Sequence, residues 1–382
     1  LSNPTYDIII TGAGPAGATA ALGLRHTGLR VLLVDKAKFP RHKPCGDAIP
    51  GQVFKYLAEF DAQLAEEVWN LPKREIVTGS RIVAHNGREL MIEWVNRAYN
   101  ASRFDFDLHL LERVKKAGHC EIMEGAMVRQ INRRDNGLEI ELEGGHTLTS
   151  SFVIGADGAN SVVARKLTNF TVDRRHLSAA VRQYFHGVTG MRPGITELFF
   201  SRQYMPGYFW VFPLADGLVN AGFGMLAQTV VDKSINLNRA FADIITGTDE
   251  LQRRFTNATP AGELKGHNLP FGSRHLPLSG DRFMLCGDAG SLVDPIDGHG
   301  IDKAVLSGLL AAKHYWQCHQ HNNFSAAHTA TYDAAVYARI GTTMQRNYHI
   351  MQTMNRHPWL LDSALTIARV SWLRRRLLAA IM

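Results

Sequence analysis

The stretch Tyr6-Asp7-Ile8-Ile9-Ile10-Thr11-Gly12-Ala13-Gly14-Pro15-Ala16-Gly17 decides the fold. Tyr6 to Thr11 reads as a short buried strand, and the glycines at 12, 14 and 17 follow it with G-x-G-x-x-G spacing. An alanine-rich run, Ala18 to Arg25, continues as a helix that Gly28 closes. Arg30-Val31-Leu32-Leu33-Val34 is a second buried strand, ending in Asp35. Strand, helix, strand and terminal acid make a complete βαβ unit.

Each part has a chemical use. Gly12 permits the tight turn, Gly14 lets backbone approach a pyrophosphate, and Gly17 lets helix and strand pack closely. Pro15 and Ala16 begin the helix, whose free N–H groups and positive dipole end favour phosphate. Asp35 stands where a carboxylate can take the hydroxyls of an adenosine ribose, with Lys36 beside it. The unit therefore predicts dinucleotide binding.

The 382 residues allow two compact modules or one elaborated α/β domain, and 45% apolar with 20% charged residues is an ordinary globular composition. Cys45, Cys120, Cys286 and Cys318 show neither C-x-x-C pairing nor zinc spacing, which predicts a reducing compartment and no structural metal. The first apolar run is the strand itself rather than a signal peptide, and no run reaches the roughly 18 residues of a spanning helix. The expectation is a cytoplasmic chain, free or peripherally attached to a membrane. The net charge of +7 comes without any nucleic-acid module, so no nucleic-acid partner is expected.

Outward from the βαβ unit, Lys36 to Asp47 is a basic loop punctuated by proline and glycine, and a helical pattern covers Gly51 to Trp69. Glu75 to Trp94 has the period of a hairpin turning at Asn86-Gly87, and it belongs to a second sheet. Arg103 to Ala117 is helical, and Glu121 to Leu148 reads as a β-meander. A strand at 151–154 ends in Gly155-Ala156-Asp157-Gly158-Ala159-Asn160-Ser161; residues 178–223 are strand-rich, and Arg282 to Cys286 is a last buried strand feeding Gly287-Asp288-Ala289-Gly290. The fold class expected is α/β: a Rossmann-like domain from residues 1–70, 101–165 and 275–320, a mostly antiparallel substrate domain from 71–100 and 166–274, and C-terminal helices over 321–382.

Three signals in this order resemble the flavoprotein superfamily with the p-hydroxybenzoate hydroxylase fold: the βαβ unit, Gly155 to Ser161, and Gly287-Asp288-Ala289 followed by Pro295-Ile296-Asp297-Gly298-His299-Gly300-Ile301. The resemblance implies FAD as cofactor. It puts Gly287 and Asp288 beside the ribityl chain or pyrophosphate, and Pro295, Gly298, Gly300 and Ile301 at the flavin ring. Arg103 would approach the phosphates from a helix like the family's R-x-x-F-D-x-L, Asp157 and Gly158 would shape the neighbouring loop, and Val128 joins the expected cofactor contacts. Within the superfamily, Tyr208-Phe209-Trp210-Val211-Phe212-Pro213 after Pro206, and Lys43-Pro44-Cys45-Gly46, resemble motifs of the geranylgeranyl reductases.

That branch implies hydride transfer from reduced FAD to a carbon–carbon double bond of a prenyl chain, with NAD(P)H or another external donor. Cys45 and Gly46 would lie near the flavin. Tyr208, Trp210 and Phe212 alternate along one strand and so share one face, as the lining of an apolar pocket or as ordinary sheet core. Cys45, His299, Tyr208 and Trp210 are the candidate catalytic residues, with His299 or a water as proton source. Gly290, Ser291, Leu214 and His299 depart from the usual pattern, which leaves open an FAD monooxygenase or flavin halogenase acting on an aromatic or polyketide. A peripheral membrane protein holding FAD structurally is the non-enzymatic alternative. Trp359 to Met382 mixes aromatic and aliphatic residues with Arg369 and Arg374-Arg375-Arg376, as an interfacial helix or as a packed terminal helix with a basic face.

Overall fold

A computed structural model describes residues 5–205, 207–357 and 359–360. Pro206 and nearly all of the basic C-terminal run, from residue 361 on, lie outside the described residues.

The opening strand, Ile8–Thr11, sits in a six-stranded sheet ordered Ser279–Gly280, Phe283–Leu285, Val153–Gly155, Ile8–Thr11, Val31–Asp35 and Cys120–Glu124. All its neighbouring pairs are parallel except Ser279–Gly280 with Phe283–Leu285. Both faces are covered, which is why these strands are continuous apolar runs rather than alternating ones. Ile8 and Ile10 pack with the helices Pro15–Gly23, Arg103–Ala117 and Ile301–Gln320. Ile9 points the other way, onto a three-stranded antiparallel sheet of Val128–Arg134, Gly137–Leu142 and Thr147–Ser150. The expected meander is thus shorter than its sequence pattern, because Cys120–Glu124 pairs in parallel with Val31–Asp35. A strand reached through a helix returns parallel to its predecessor, and Arg103–Ala117 is that helix.

The helical pattern after Gly51 is two helices, Gly51–Phe60 and Ala62–Trp69. Asp61 separates them with an extended backbone and caps the second by accepting from the Leu64 amide at 3.0 Å. Helix Arg103–Ala117 begins at Ser102, whose hydroxyl accepts from the Asp105 amide, and ends at left-handed Gly118.

The second layer is a nine-stranded, mostly antiparallel sheet. Its centre holds the Arg182 strand Leu177–His186, the glycine strand Val219–Leu226, the aromatic strand Tyr208–Pro213 and Ile195–Phe199. The expected hairpin, Glu75–Val83 with Glu89–Asn100, lies at its far side, and Lys265–Pro270 pairs at the edge of the Arg182 strand. One face, with Val181, Phe209, Val211 and Phe223, buries itself against helices Leu237–Gly247 and Asp249–Phe255. The opposite face looks onto the loops at the carboxyl ends of the parallel strands, and the candidate site lies between. No helix among the described residues is long and apolar enough to cross a membrane.

Candidate active site

The glycine-rich turn shows why each glycine is where it is. Gly12 has φ +94°, and a Cβ there would meet the Ala156 carbonyl oxygen at 2.4 Å. A Cβ on Gly17 would lie 1.7 Å from the Gly12 oxygen. At Gly14 the nearest atoms are instead two guanidinium nitrogens, Arg41 Nη2 at 3.5 Å and Arg103 Nη2 at 3.8 Å. Bare backbone, the helix beginning at Pro15 and Ala16, and two cations therefore converge. Arg103 is buried and held in a bidentate pair by Asp107 at 2.5 and 2.7 Å, and Arg41 joins the same carboxylate at 3.1 Å. Arg41 Nη1 is buried without a partner. This cradle of unfilled donors fits a diphosphate, as FAD would supply.

Asp35 uses both carboxylate oxygens on backbone, accepting from Ala13 and Ala37 amides at 2.8 Å each. It thereby ties the strand tip to the glycine turn. Lys36 is exposed next to it, and Val128 is buried in the three-stranded sheet, so these two stand apart from the cluster described next. Asp157 accepts from the Val162 amide at 2.6 Å, while its Oδ1 is buried without a partner and burial raises its pKa. Gly158 follows with φ +80° and open space where a Cβ would be.

Farther along, Gly287-Asp288 and the loop before helix Ile301–Gln320 come together. A Cβ on Gly300 would lie 3.3 Å from Asp288 Oδ1. Burial opposes ionisation of Asp288, but Lys43, at 3.4 Å, and His267 hold its pKa well below the usual carboxylate range. Buried Pro295 follows Asp294, whose carboxylate accepts from the Ile296 amide and the Asn347 side chain, both at 2.8 Å. Asp297 accepts from the His299 amide at 2.8 Å, and its other oxygen lies 3.3 Å from the His299 ring. Burial disfavours charge on His299, yet Asp297 outweighs it and raises the imidazole's pKa.

The aromatic strand closes the cleft from the other layer. The Tyr208 hydroxyl donates to the Asp297 carbonyl at 2.8 Å, and a Cβ on Gly298 would come within 3.1 Å of it. Trp210 Nε1 donates to Asn220 Oδ1 at 2.9 Å; Asn220 in turn donates to the Cys45 carbonyl and to Asp47, both at 2.8 Å. Asp47 also accepts from the Tyr184 hydroxyl at 2.6 Å. It is fully buried, it adopts left-handed backbone at φ 66°, and burial lifts its pKa to about 6 despite these donors. The Cys45 thiol interacts with the Arg103 guanidinium. Cys45, Gly46, Tyr208, Trp210, Asp288 and His299 are thus brought into one cleft.

Sequence reasoning passed over Arg41, Lys43, Asp47, Asp107, Tyr184 and Asn220. Asp107 carried a usable signal, since an acid four residues after Arg103 on a helix is placed to pair with it. Tyr184 and Asn220 carried none, because only sheet register brings them to Asp47.

The chain matches the FAD binding domain family over residues 5–206. It is 30% identical to a menaquinone reductase of Mycolicibacterium smegmatis over 81% of this chain and 76% of that one. It is 28% identical to a digeranylgeranylglycerophospholipid reductase of Methanoculleus marisnigri over 91% of this chain and 86% of the relative. Among solved structures, a geranylgeranyl bacteriochlorophyll reductase-like protein of Thermoplasma acidophilum superposes with a TM-score of 0.85 at 23% identity, covering 98% of this chain and 95% of that one. A flavin-dependent brominase shares the fold at a TM-score of 0.80 and 22% identity, over 98% of this chain and 93% of its own. By sequence match, fold and cradle, the chain belongs to the FAD binding domain family and is an FAD-dependent oxidoreductase of its geranylgeranyl reductase-like branch.

Proposed function

We propose that this oxidoreductase reduces a carbon–carbon double bond of a prenyl chain. The observation that carries the reading is the hydrogen bond from Tyr208 to the Asp297 carbonyl, which pins the aromatic strand to the loop Pro295–Ile301. Tyr208, Trp210 and Phe212 then form one apolar wall over the site, and their ring centroids follow one another at 6.2 and 6.4 Å. The names of the relatives support the same chemistry, since both act on lipids that carry prenyl chains.

FAD, when bound and reduced by NAD(P)H or another external donor, supplies hydride. The chain's own residues do the rest. An isolated alkene is a poor electrophile, so the aromatic wall must hold it in register and exclude water. His299, kept protonated by Asp297, is the proton donor to the second carbon. The Cys45 loop, fixed through its carbonyl to Asn220, closes one side of the cleft.

The residues that contact FAD in this reading are Gly12, Gly14, Pro15, Ala16, Gly17, Asp35, Arg103, Asp157, Gly158, Gly287, Asp288, Gly298, Gly300 and Ile301. The enzyme works from the cytoplasm, and its Trp359–Met382 run meets the membrane that holds the substrate. Deleting the chain from Trp372 onward and finding unchanged liposome binding would remove that last element.

The test of the function is anaerobic. The FAD-loaded protein is reduced, mixed with a geranylgeranyl compound, and the flavin absorbance is followed. Reoxidation without oxygen, with a saturated product, is the expected result. A flavin that stays reduced until air is admitted, and then yields a hydroxylated or halogenated aromatic, would transfer the chain to the monooxygenase or halogenase reading.

A further inference from the structure

Four arginines are buried among the described residues: Arg81, Arg103, Arg182 and Arg254. Three of them hold carboxylates. Arg81 and Arg254 share Glu197 and Glu250, and Arg103 is gripped by Asp107. Arg182, only 4% exposed, has no such partner. Its guanidinium lies 3.9 Å from the centroid of the Tyr184 ring, its Nε is buried without an acceptor, and among the described residues it makes neither ion pair nor hydrogen bond. A buried charge left in that condition is costly, so its retention points to an anion that arrives from outside.

The surroundings reinforce this. Sheet register sets Lys265 directly opposite Arg182, and His267 opposite Ala180 two residues away on the same face. His42 lies within electrostatic reach of both Arg182 and Lys265. The nearest acid, Asp47, interacts with Arg182 only at a distance, and its Oδ2 is already occupied by Tyr184 and Asn220. The FAD diphosphate has its own cations, Arg41 and Arg103 at Gly14.

The same register fixes what lies on the other side. Arg182 pairs with Gly222, and Gly222 pairs with Trp210. The site-facing row therefore runs Lys265, Arg182, Gly222, Trp210, from two cations across a residue without side chain to an aromatic ring. We propose that Arg182 and Lys265 bind the phosphate or diphosphate head group of a prenyl substrate whose chain runs over Trp210 along the aromatic strand. The head group, on this account, anchors the substrate and sets which stretch of chain reaches the site. This rests on the prenyl reductase reading and adds the chemical class of its head.

Isothermal titration of the oxidised, FAD-loaded protein tests it with geranylgeranyl diphosphate, geranylgeraniol and inorganic diphosphate. The expected result is that the ester binds at least about tenfold more tightly than the alcohol, as a charge-assisted contact to a desolvated guanidinium implies. Arg182→Gln should erase that advantage while leaving FAD content and alcohol affinity unchanged. Arg182→Lys, which keeps the charge without the planar fork, should retain part of it, and Lys265→Gln should weaken ester binding and its salt dependence. These two milder variants carry the test should the glutamine variant fold poorly. Equal binding of ester and alcohol, untouched by any of the three substitutions, overturns the proposal. So does loss of FAD from the Arg182 variants, which would assign the guanidinium to the cofactor. Inorganic diphosphate binding as tightly as the ester would overturn the head-group assignment in favour of a free phosphate ligand. Because binding is read without turnover, failure to reduce the alkene would sink the reductase reading and leave this result standing.

Discussion

The indole of Trp210 covers the backbone of Gly222: a Cβ added at Gly222 would lie 2.0 Å from Cζ2 of Trp210 and within 2.5 Å of two further ring atoms. The glycine is there for the ring, and the ring's position is completed by its hydrogen bond to Asn220. Gly222→Ala should therefore expel Trp210 from its place and cost about 1–3 kcal/mol, as overpacking does. In a Trp210→Ala background the same change should cost only a few tenths, ~0.3 kcal/mol, because the clash is gone. Urea unfolding of the four proteins of this cycle measures the coupling. Equal costs in both backgrounds would mean that Trp210 does not sit on Gly222.

The glycine turn makes a sharper contrast. Gly17→Ala puts a methyl 1.7 Å from the Gly12 oxygen and should prevent folding of the first βαβ unit. Gly14→Ala meets nothing nearer than 3.5 Å and should fold normally without cofactor. Its methyl would occupy the approach to the diphosphate, so FAD affinity should fall at least about tenfold, or ~1.4 kcal/mol. Thermal melts of the apoprotein and flavin titration together decide this. A Gly14→Ala protein that keeps wild-type FAD affinity would place the phosphates elsewhere.

How much of this was legible beforehand divides along physical lines. The turn at Gly12, Gly14 and Gly17 could be read because its constraints are local: each glycine answers to atoms within the same βαβ unit or the strand beside it. Helix Arg103–Ala117 was readable for the same reason, with its cap at Ser102 and its stop at Gly118. Cys120–Glu124 was misread because alternation does not tell a strand's partner, and the partner here is Val31–Asp35. Asp47 and Arg182 were invisible. One draws its meaning from Tyr184 and Asn220, more than 130 residues away, and the other from the absence of a counter-charge, which no sequence displays.

Asp107 offers a test of how the cradle is balanced. It is fully buried and serves Arg103 and Arg41 at once, so removing it leaves two guanidinium groups facing each other without compensation. Asp107→Ala should destabilise the apoprotein by about 3–5 kcal/mol. A bound diphosphate would neutralise the same two cations, so the holoprotein should lose less, and the stabilisation gained on adding FAD should widen. Denaturant midpoints with and without FAD supply the comparison. If FAD stabilises the variant no more than the wild type, Arg41 and Arg103 do not face the phosphates.

The pair Asp297 and His299 sets the pH dependence expected of proton delivery. The ring faces Asp297 from its own loop and feels Asp302 and Lys303 from the first turn of helix Ile301–Gln320, with the acids outweighing both Lys303 and burial. A histidine whose folded pKa lies above the ordinary value of about 6.5 keeps its proton through neutrality and gives it up only as pH rises past the folded value. The pair's contribution to stability follows the same course, complete below the unfolded pKa and lost above the folded one. The single-turnover rate of flavin reoxidation by alkene should accordingly be level in mild acid and descend on the alkaline side. Asp297→Asn removes the charge that holds the proton, so the descending limb should move to lower pH while the acid plateau persists. His299→Gln should abolish the limb and lower the plateau by about 10²–10⁴-fold, the range for loss of a general acid. A limb that stays in place in Asp297→Asn would show that another group delivers the proton, and Asp294, itself raised to about 6, would be the next to examine.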